Sequence, residues 1–269
     1  VTTVRANGIE QHVQQMGPPG AGVPTVVCVH GILIDSLASF YFTLAKPLAD
    51  AGLRVIMYDL RGQGRTERPP TGYTLDDYVD DLTGLLDQLD VPGPVYLIGN
   101  SFGGTIAFSF AVRHPGRAAG IAVIESEPAS RQWAVKMSAN LTRAATELVR
   151  SEALAWVTVR YGRHTLKLAK YAARMLQSTT LVQDLPPSAV PSTEQLRSLR
   201  CPVLAVYGAD SDLAVQAPLL RALLSDCTTR VIPGQDHSVL VNVPQTIIDL
   251  VLSWLRQRDR VRMVGADET

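Results

Sequence analysis

Ser101 stands in the run Gly99-Asn100-Ser101-Phe102-Gly103, a G-x-S-x-G pattern followed by one more glycine, Gly104. A serine hydroxyl is a weak nucleophile at neutral pH and attacks only when an imidazole takes its proton. The imidazole needs a carboxylate to fix its tautomer and to stabilise the imidazolium. Attack on a carbonyl also creates an oxyanion, which needs backbone N–H donors already in place. The chain supplies each of these types in turn-rich settings. His237 closes the run Gly234-Gln235-Asp236-His237, and three carboxylates are candidates to support it: Asp212 and Asp210 in Gly208–Asp212, and Glu125 in Ile124–Glu127. The other histidines read differently. His30 shapes a turn after an apolar run, His114 precedes Pro115 at a helix end, and His12 and His164 sit in no motif.

These groups stand at the ends of a regular series of apolar runs. Thr25–Val29, Leu53–Tyr58, Val95–Ile98, Ala119–Ile124, Cys201–Tyr207 and Thr228–Ile232 are short apolar runs, the pattern of strands covered on both faces. Each is followed by chemistry: His30-Gly31, Asp59, Ser101, Glu125 with Glu127, Asp210 with Asp212, and Asp236-His237. Sites in open parallel sheets form at the carboxyl ends of the strands, and packing alone does not explain this distribution. Val4–Met16 reads as a hairpin turning at Asn7-Gly8. Leu37–Ala51 reads as one helix closed by Gly52. In Thr74–Leu89, apolar residues recur every three or four positions, and Thr74 with Asp77 forms a capping box with Asp in the usual Glu position. The helix after Ser101 spans Thr105–Val112, and others cover Pro218–Leu224 and Val243–Arg256. Strands alternating with helices predict an α/β fold with a mostly parallel, twisted sheet and helices on both faces. The alternation stops between Arg131 and about Leu185, where helical patterning carries Trp133, Met137, Leu141, Leu148, Val149, Leu154, Trp156, Leu166, Tyr171, Met175 and Leu176. The expected organisation is a core of residues 1–127 and 192–269, with a helical subdomain over 128–191.

With these motifs in order, the sequence resembles an α/β-hydrolase-fold serine hydrolase of the esterase, lactonase and thioesterase kind. The resemblance runs from His30-Gly31 through Asp59–Thr66 and Gly99–Gly104 to Gly234–His237, in the chain order serine, acid, histidine. It implies that the inserted helices cap the site, that the N–H groups of Phe102 and of Ile32 (or Leu33 in its place) form the oxyanion hole, and that no cofactor is needed. It also places the acid after the strand Val203–Tyr207, where the usual aspartate position, three residues past the glycine, is Ser211. Asp212 is the preferred acid, as the Asp of a Ser-Asp pair. Asp210 is favoured by the short run to His237, and Glu125 by family members that take the acid from the preceding strand. Asp59–Thr66 resembles the D-x-R-G-x-G-x-S/T loop, whose role is structural, with Arg61 tying down loops. The expected activity is hydrolysis of an ester, lactone or thioester through an acyl-Ser101 intermediate. Alternatives are other chemistry of the same fold (C–C bond hydrolysis, perhydrolysis, lyase or cyclase reactions) and a non-catalytic small-molecule receptor.

Composition narrows the partners. The chain has 269 residues, 46% hydrophobic, and a formal net charge of zero, which argues against a general nucleic-acid binder. No apolar run is long enough to span a bilayer, and Val1–Glu10 has no signal-peptide pattern. Cys28, Cys201 and Cys227 are widely spaced, with neither metal-ligand nor disulfide spacing, so a cytoplasmic location is expected. Phosphate-cradling glycine motifs are absent. Between Arg131 and Leu176, nine Lys or Arg stand against two Glu. This is either a solvated cap surface or a docking face for an anionic acyl substrate, such as a phosphopantetheine carrier or a CoA ester.

Overall fold

A computed structural model describes residues 2–20, 22–148 and 166–258. Strands β1 (Thr2–Ala6), β2 (Ile9–Met16), β3 (Thr25–Val29), β4 (Arg54–Tyr58), β5 (Val95–Asn100), β6 (Ala118–Ile124), β7 (Val203–Gly208) and β8 (Cys227–Ile232) form one sheet in the order β1-β2-β4-β3-β5-β6-β7-β8. β1 and β2 pair antiparallel around Asn7 and Gly8, both at positive φ, and β2 runs antiparallel to β4. The remaining pairs are all parallel. This is the mostly parallel α/β sheet expected from the alternating pattern.

The helices are α1 (Ala38–Tyr41), α2 (Ala45–Asp50), α3 (Leu75–Gln88), α4 (Phe102–Arg113), α5 (Arg131–Glu147), α6 (residues 166–178), α7 (Leu181–Asp184), α8 (Thr193–Arg197), α9 (Gln216–Leu223), α10 (Val239–Asn242) and α11 (Pro244–Arg258). The continuous apolar strands follow from burial on both sides. Val27, Val29, Ile56, Tyr58, Val95 and Leu97 face one layer, built with α3, α4 and α9, while Val26, Cys28, Val55, Met57, Tyr96 and Ile98 face the other, built with α1, α2, α10 and α11. Period-two alternation sends neighbouring residues to opposite cores. The capping box of α3 forms as read: Asp77 N–H donates to Thr74 Oγ1 at 3.2 Å, and Thr74 N–H to Asp77 Oδ2 at 2.8 Å.

One helix differs from expectation. Leu37–Ala51 is two short helices, α1 and α2, with a break at Phe42-Thr43-Leu44. Pro47 has no N–H to give the carbonyl of Thr43, and its ring crowds that carbonyl, so a helix cannot run through from α1.

Between β6 and β7 the chain leaves the sheet. Of the stretch expected to cap the site, 128–191, the described part holds α5, α6 and α7. Val149, Leu154, Trp156 and His164 lie outside the described residues. The return is tied to the core. Asp184 accepts the N–H groups of Gly72 and Tyr73 at 3.2 and 3.1 Å, and Ser188 Oγ accepts that of Leu75 at 2.8 Å. Among the described residues, no helix is long and apolar enough to cross a membrane.

Candidate active site

Ser101 occupies the corner between β5 and α4 with φ 52° and ψ −120°. A side-chain-bearing residue at positive φ is strained, and such strain persists only where the surroundings enforce it. Here they do. A Cβ at Gly99 would collide with Gly104, and one at Gly103 with the Val29 carbonyl. The helix therefore starts directly at Phe102, several residues earlier than the apolar run suggests, and the serine is lifted off the sheet into a cavity.

His237 meets Ser101 from the other side. Its Nε2 lies 3.1 Å from Ser101 Oγ, and its Nδ1 lies 3.0 Å from Glu125 Oε2. The imidazole side chain is 55% exposed, whereas the Glu125 carboxylate is fully buried at 0%. Glu125 stands directly past β6, itself at φ 52°, with its N–H on the Val206 carbonyl. A buried carboxylate must be compensated by donors, and Glu125 has three. Gly208 N–H donates to Oε1, and Ser211 Oγ–H and the imidazole both give to Oε2.

Asp212, the acid preferred from the sequence, is not the carboxylate that meets the imidazole. Asp212 and Asp210 are both exposed at the rim of the cavity, and among the described residues neither is hydrogen-bonded to His237. The loop after β7 is turned so that Ser211, between them, faces inward, while Asp210 N–H binds the Gln235 carbonyl and ties this loop to the one carrying His237. The carboxylate that reaches the imidazole comes from the end of β6, the alternative the sequence left open.

The residues whose N–H groups are expected to meet an oxyanion lie beside Ser101. Phe102 is the first residue of α4, where an N–H has no acceptor within the helix. Among the described residues, neither its N–H nor that of Ile32 meets an acceptor. Leu33 N–H, the alternative, is taken by Gln63 Oε1. The loop carrying Ile32 is held by Asp35, whose Oδ2 accepts Gly31 N–H at 2.7 Å and Asn100 Nδ2 at 3.2 Å. His30 braces the same turn. Its Nδ1 lies 2.7 Å from the Gly31 carbonyl, and Leu60 N–H donates to its Nε2 at 3.0 Å.

A cavity of about 490 Å³ opens over Ser101, floored by Ile32 and Phe102 and walled by Trp133, Met137 and Leu141 of α5. Trp133 stacks on Phe102, with ring centroids 6.3 Å apart and planes 10° from parallel, and Tyr78 meets the Phe102 ring edge-on at 5.0 Å. Lys136, also from α5, forms an ion pair with Glu127, whose Oε2 accepts Gln216 Nε2 at 2.7 Å. No local sequence pattern signals this pair. Among the basic residues of the inserted stretch, Lys136 is therefore neutralised at the cavity, while Arg174 lies over the Tyr171 ring at 4.7 Å. Asp236, at the rim, has its carboxyl held below the usual carboxylate range by the Ser238 N–H.

Asp59 and Arg61 have architectural partners. Asp59 joins His12 Nδ1 at 2.7 Å and accepts the N–H groups of Leu37 and Arg65, both at 2.9 Å. Arg61 holds Asp81 through two hydrogen bonds of 2.6 Å. Burial works against its charge, but these bonds outweigh that effect and raise its pKa. Burial raises the thiols of Cys201 and Cys227 to about 11, and that of Cys28 higher still, so none is poised to be a nucleophile. Among the described residues, no three His, Cys, Asp or Glu side chains are grouped to hold a metal ion.

Comparison with known proteins agrees with this architecture. Over 118 residues the chain is 37% identical to epoxide hydrolase 2 of Siraitia grosvenorii, covering 43% of this chain and 35% of that protein, so the match spans about a third of that relative's length. It is 27% identical over 259 residues to 2-(acetamidomethylene)succinate hydrolase of Mesorhizobium japonicum, covering 88% of this chain and 89% of the relative. A carboxylesterase structure from the thaumarchaeon Nitrososphaera gargenis superposes with a TM-score of 0.77 at 22% identity, covering 96% of this chain and 98% of that one. Residues 24–242 match the family model for the α/β hydrolase fold. A serine on a strained strand-to-helix corner, with its histidine delivered from beyond the last strand, is what that family's architecture provides, and the chain belongs to the α/β hydrolase fold family.

Proposed function

We propose that the protein hydrolyses a carboxylic ester, lactone or thioester through an acyl-Ser101 intermediate. The observation that carries this reading is the unbroken chain from Ser101 Oγ through His237 to Glu125, opening on a cavity. His237 Nε2 takes the Ser101 proton as Oγ attacks the acyl carbon. Glu125 holds the ring with Nδ1–H toward itself and stabilises the imidazolium. The negative charge on the acyl oxygen falls between the N–H groups of Phe102 and Ile32. His237 then gives its proton to the leaving group, and water, deprotonated by the same nitrogen, cleaves the acyl-enzyme.

The identity of the nucleophile bears on the likeness to epoxide hydrolases. A serine oxygen that opened an epoxide would form an ether, which water attacking a carbonyl cannot release. Acyl chemistry gives Ser101 an intermediate that hydrolyses. A second reading, cleavage of an acyl group from an atom other than oxygen or sulfur, is supported by the near full-length likeness to a protein named for hydrolysis of 2-(acetamidomethylene)succinate.

The test is labelling with a fluorophosphonate probe, followed by a panel of p-nitrophenyl esters, lactones, free and CoA-linked thioesters, and C–C and enamide substrates. Labelling of wild type but not of Ser101→Ala, with turnover of the oxygen or sulfur esters, is the expected result. Turnover confined to the C–C or enamide substrates selects the second reading. Wild-type turnover by Ser101→Ala overturns both. If the basic inserted stretch docks an anionic acyl carrier, kcat/KM on the CoA thioester falls steeply with salt while that on a neutral ester does not.

A further inference from the structure

The loop after β7 brings a serine hydroxyl against the buried carboxylate of Glu125. We propose that Ser211 is a positioning residue for Glu125. The proposal rests on the Ser101–His237–Glu125 reading.

The direction of the Ser211 hydrogen bond is fixed by its neighbours. Leu213 N–H donates to Ser211 Oγ at 3.1 Å, so that oxygen is already an acceptor. Its one hydrogen is left for Glu125 Oε2, 2.5 Å away. Oε2 is also the oxygen that faces His237 Nδ1, and Gly208 N–H occupies the other oxygen, Oε1. The carboxylate is thereby pinned at both ends. Such pinning matters more for a glutamate than for an aspartate, because its side chain has one more torsion to restrain. Removing the Ser211 hydroxyl leaves the imidazole as the sole donor to Oε2, and the carboxylate can turn about its last bond.

The experiment measures kcat and KM for a neutral p-nitrophenyl ester. Ser211→Ala is expected to lower kcat about tenfold, the worth of one hydrogen bond to a charged group, with KM within about twofold. Ser211→Thr, which keeps the hydroxyl, restores most of the loss. Glu125→Ala is expected to lower kcat by about 10³-fold or more. If Glu125→Ala fails to fold by circular dichroism, Glu125→Gly, suited to the positive φ, takes its place. Wild-type kcat in Ser211→Ala overturns the positioning role, as does Ser211→Thr as slow as Ser211→Ala. Wild-type kcat in Glu125→Gln would instead remove the triad reading itself.

Discussion

Among the described residues, two histidines hold a carboxylate through Nδ1, and only one of them faces a hydroxyl. His12 and Asp59 are 2.7 Å apart, with side chains 8% and 3% exposed. His237 and Glu125 are 3.0 Å apart, with side chains 55% and 0% exposed. Both pairs join Nδ1 to a carboxylate oxygen. They differ in what the second ring nitrogen faces. His237 Nε2 looks across to Ser101 Oγ in a cavity, while His12 Nε2 lies 3.5 Å from the Gln14 amide. Asp59 spends its remaining capacity on the backbone of Leu37 and Arg65. The comparison teaches that the pair is not itself the catalytic device. A carboxylate fixes a ring; the ring becomes a base only when its far nitrogen meets a group with a proton to lose.

The comparison can be broken most sharply at the active pair. His237→Ala is expected to lower kcat on any accepted ester by about 10⁴-fold or more and to abolish fluorophosphonate labelling, with little change in Tm. If labelling survives at the wild-type rate, the comparison collapses. Exchanging the rim carboxylates probes the correction made by the geometry: Asp212→Asn and Asp210→Asn should each stay within about threefold of wild-type kcat, since rim charges of this kind contribute about 1 kcal/mol or less. A loss with Asp212→Asn near that of Glu125→Ala returns the acid to the β7 loop.

At the closed pair the expectation inverts. His12→Ala leaves an Asp59 oxygen short of a buried donor, so urea unfolding should show a loss of about 2 kcal/mol, while kcat/KM on a neutral ester moves by no more than a few fold. The smallest effect concerns a third histidine. Burial lowers the pKa of His114 below its usual value, helped by Arg113 and Arg117. The folded state therefore favours its neutral form. That contribution is present above the unfolded value and is lost as pH falls through it toward the folded one. The urea midpoint should drop slightly from pH 7 to pH 5.5, and His114→Gln should remove that part of the drop. An identical slope in both proteins refutes it.

Linear signals disclosed Ser101 and His237, because each sits in a short motif next to a strand and needs no knowledge of distant residues. The strand set, and the α3 helix with its capping box, were legible for the same reason. The acid was not. Glu125, Asp210 and Asp212 all lie at the same edge of the sheet, and the choice among them depends on backbone turns that spacing does not encode. Glu125 enters from a residue at positive φ, and the β7 loop turns Ser211 inward. The His12–Asp59 pair was equally hidden. It arises because β2 lies against β4 with Val13 opposite Tyr58, a register between segments far apart in the chain. Lys136 and Glu127 meet only because α5 folds back over the site. The split of Leu37–Ala51 could have been seen in Pro47, whose missing N–H is a local fact.

The stack of Trp133 on Phe102 has an optical consequence. Its indole lines the cavity and lies over the residue whose N–H is assigned to the oxyanion. Trp254, by contrast, is buried in the opposite layer against Tyr96. The chain therefore carries its own reporter. Emission from Trp133 should respond when an acyl group fills the space beside it, so that acylation and deacylation of Ser101 can be followed by stopped-flow fluorescence without a chromogenic leaving group, and a Trp133→Phe protein should lose that response while Trp156 and Trp254 still emit.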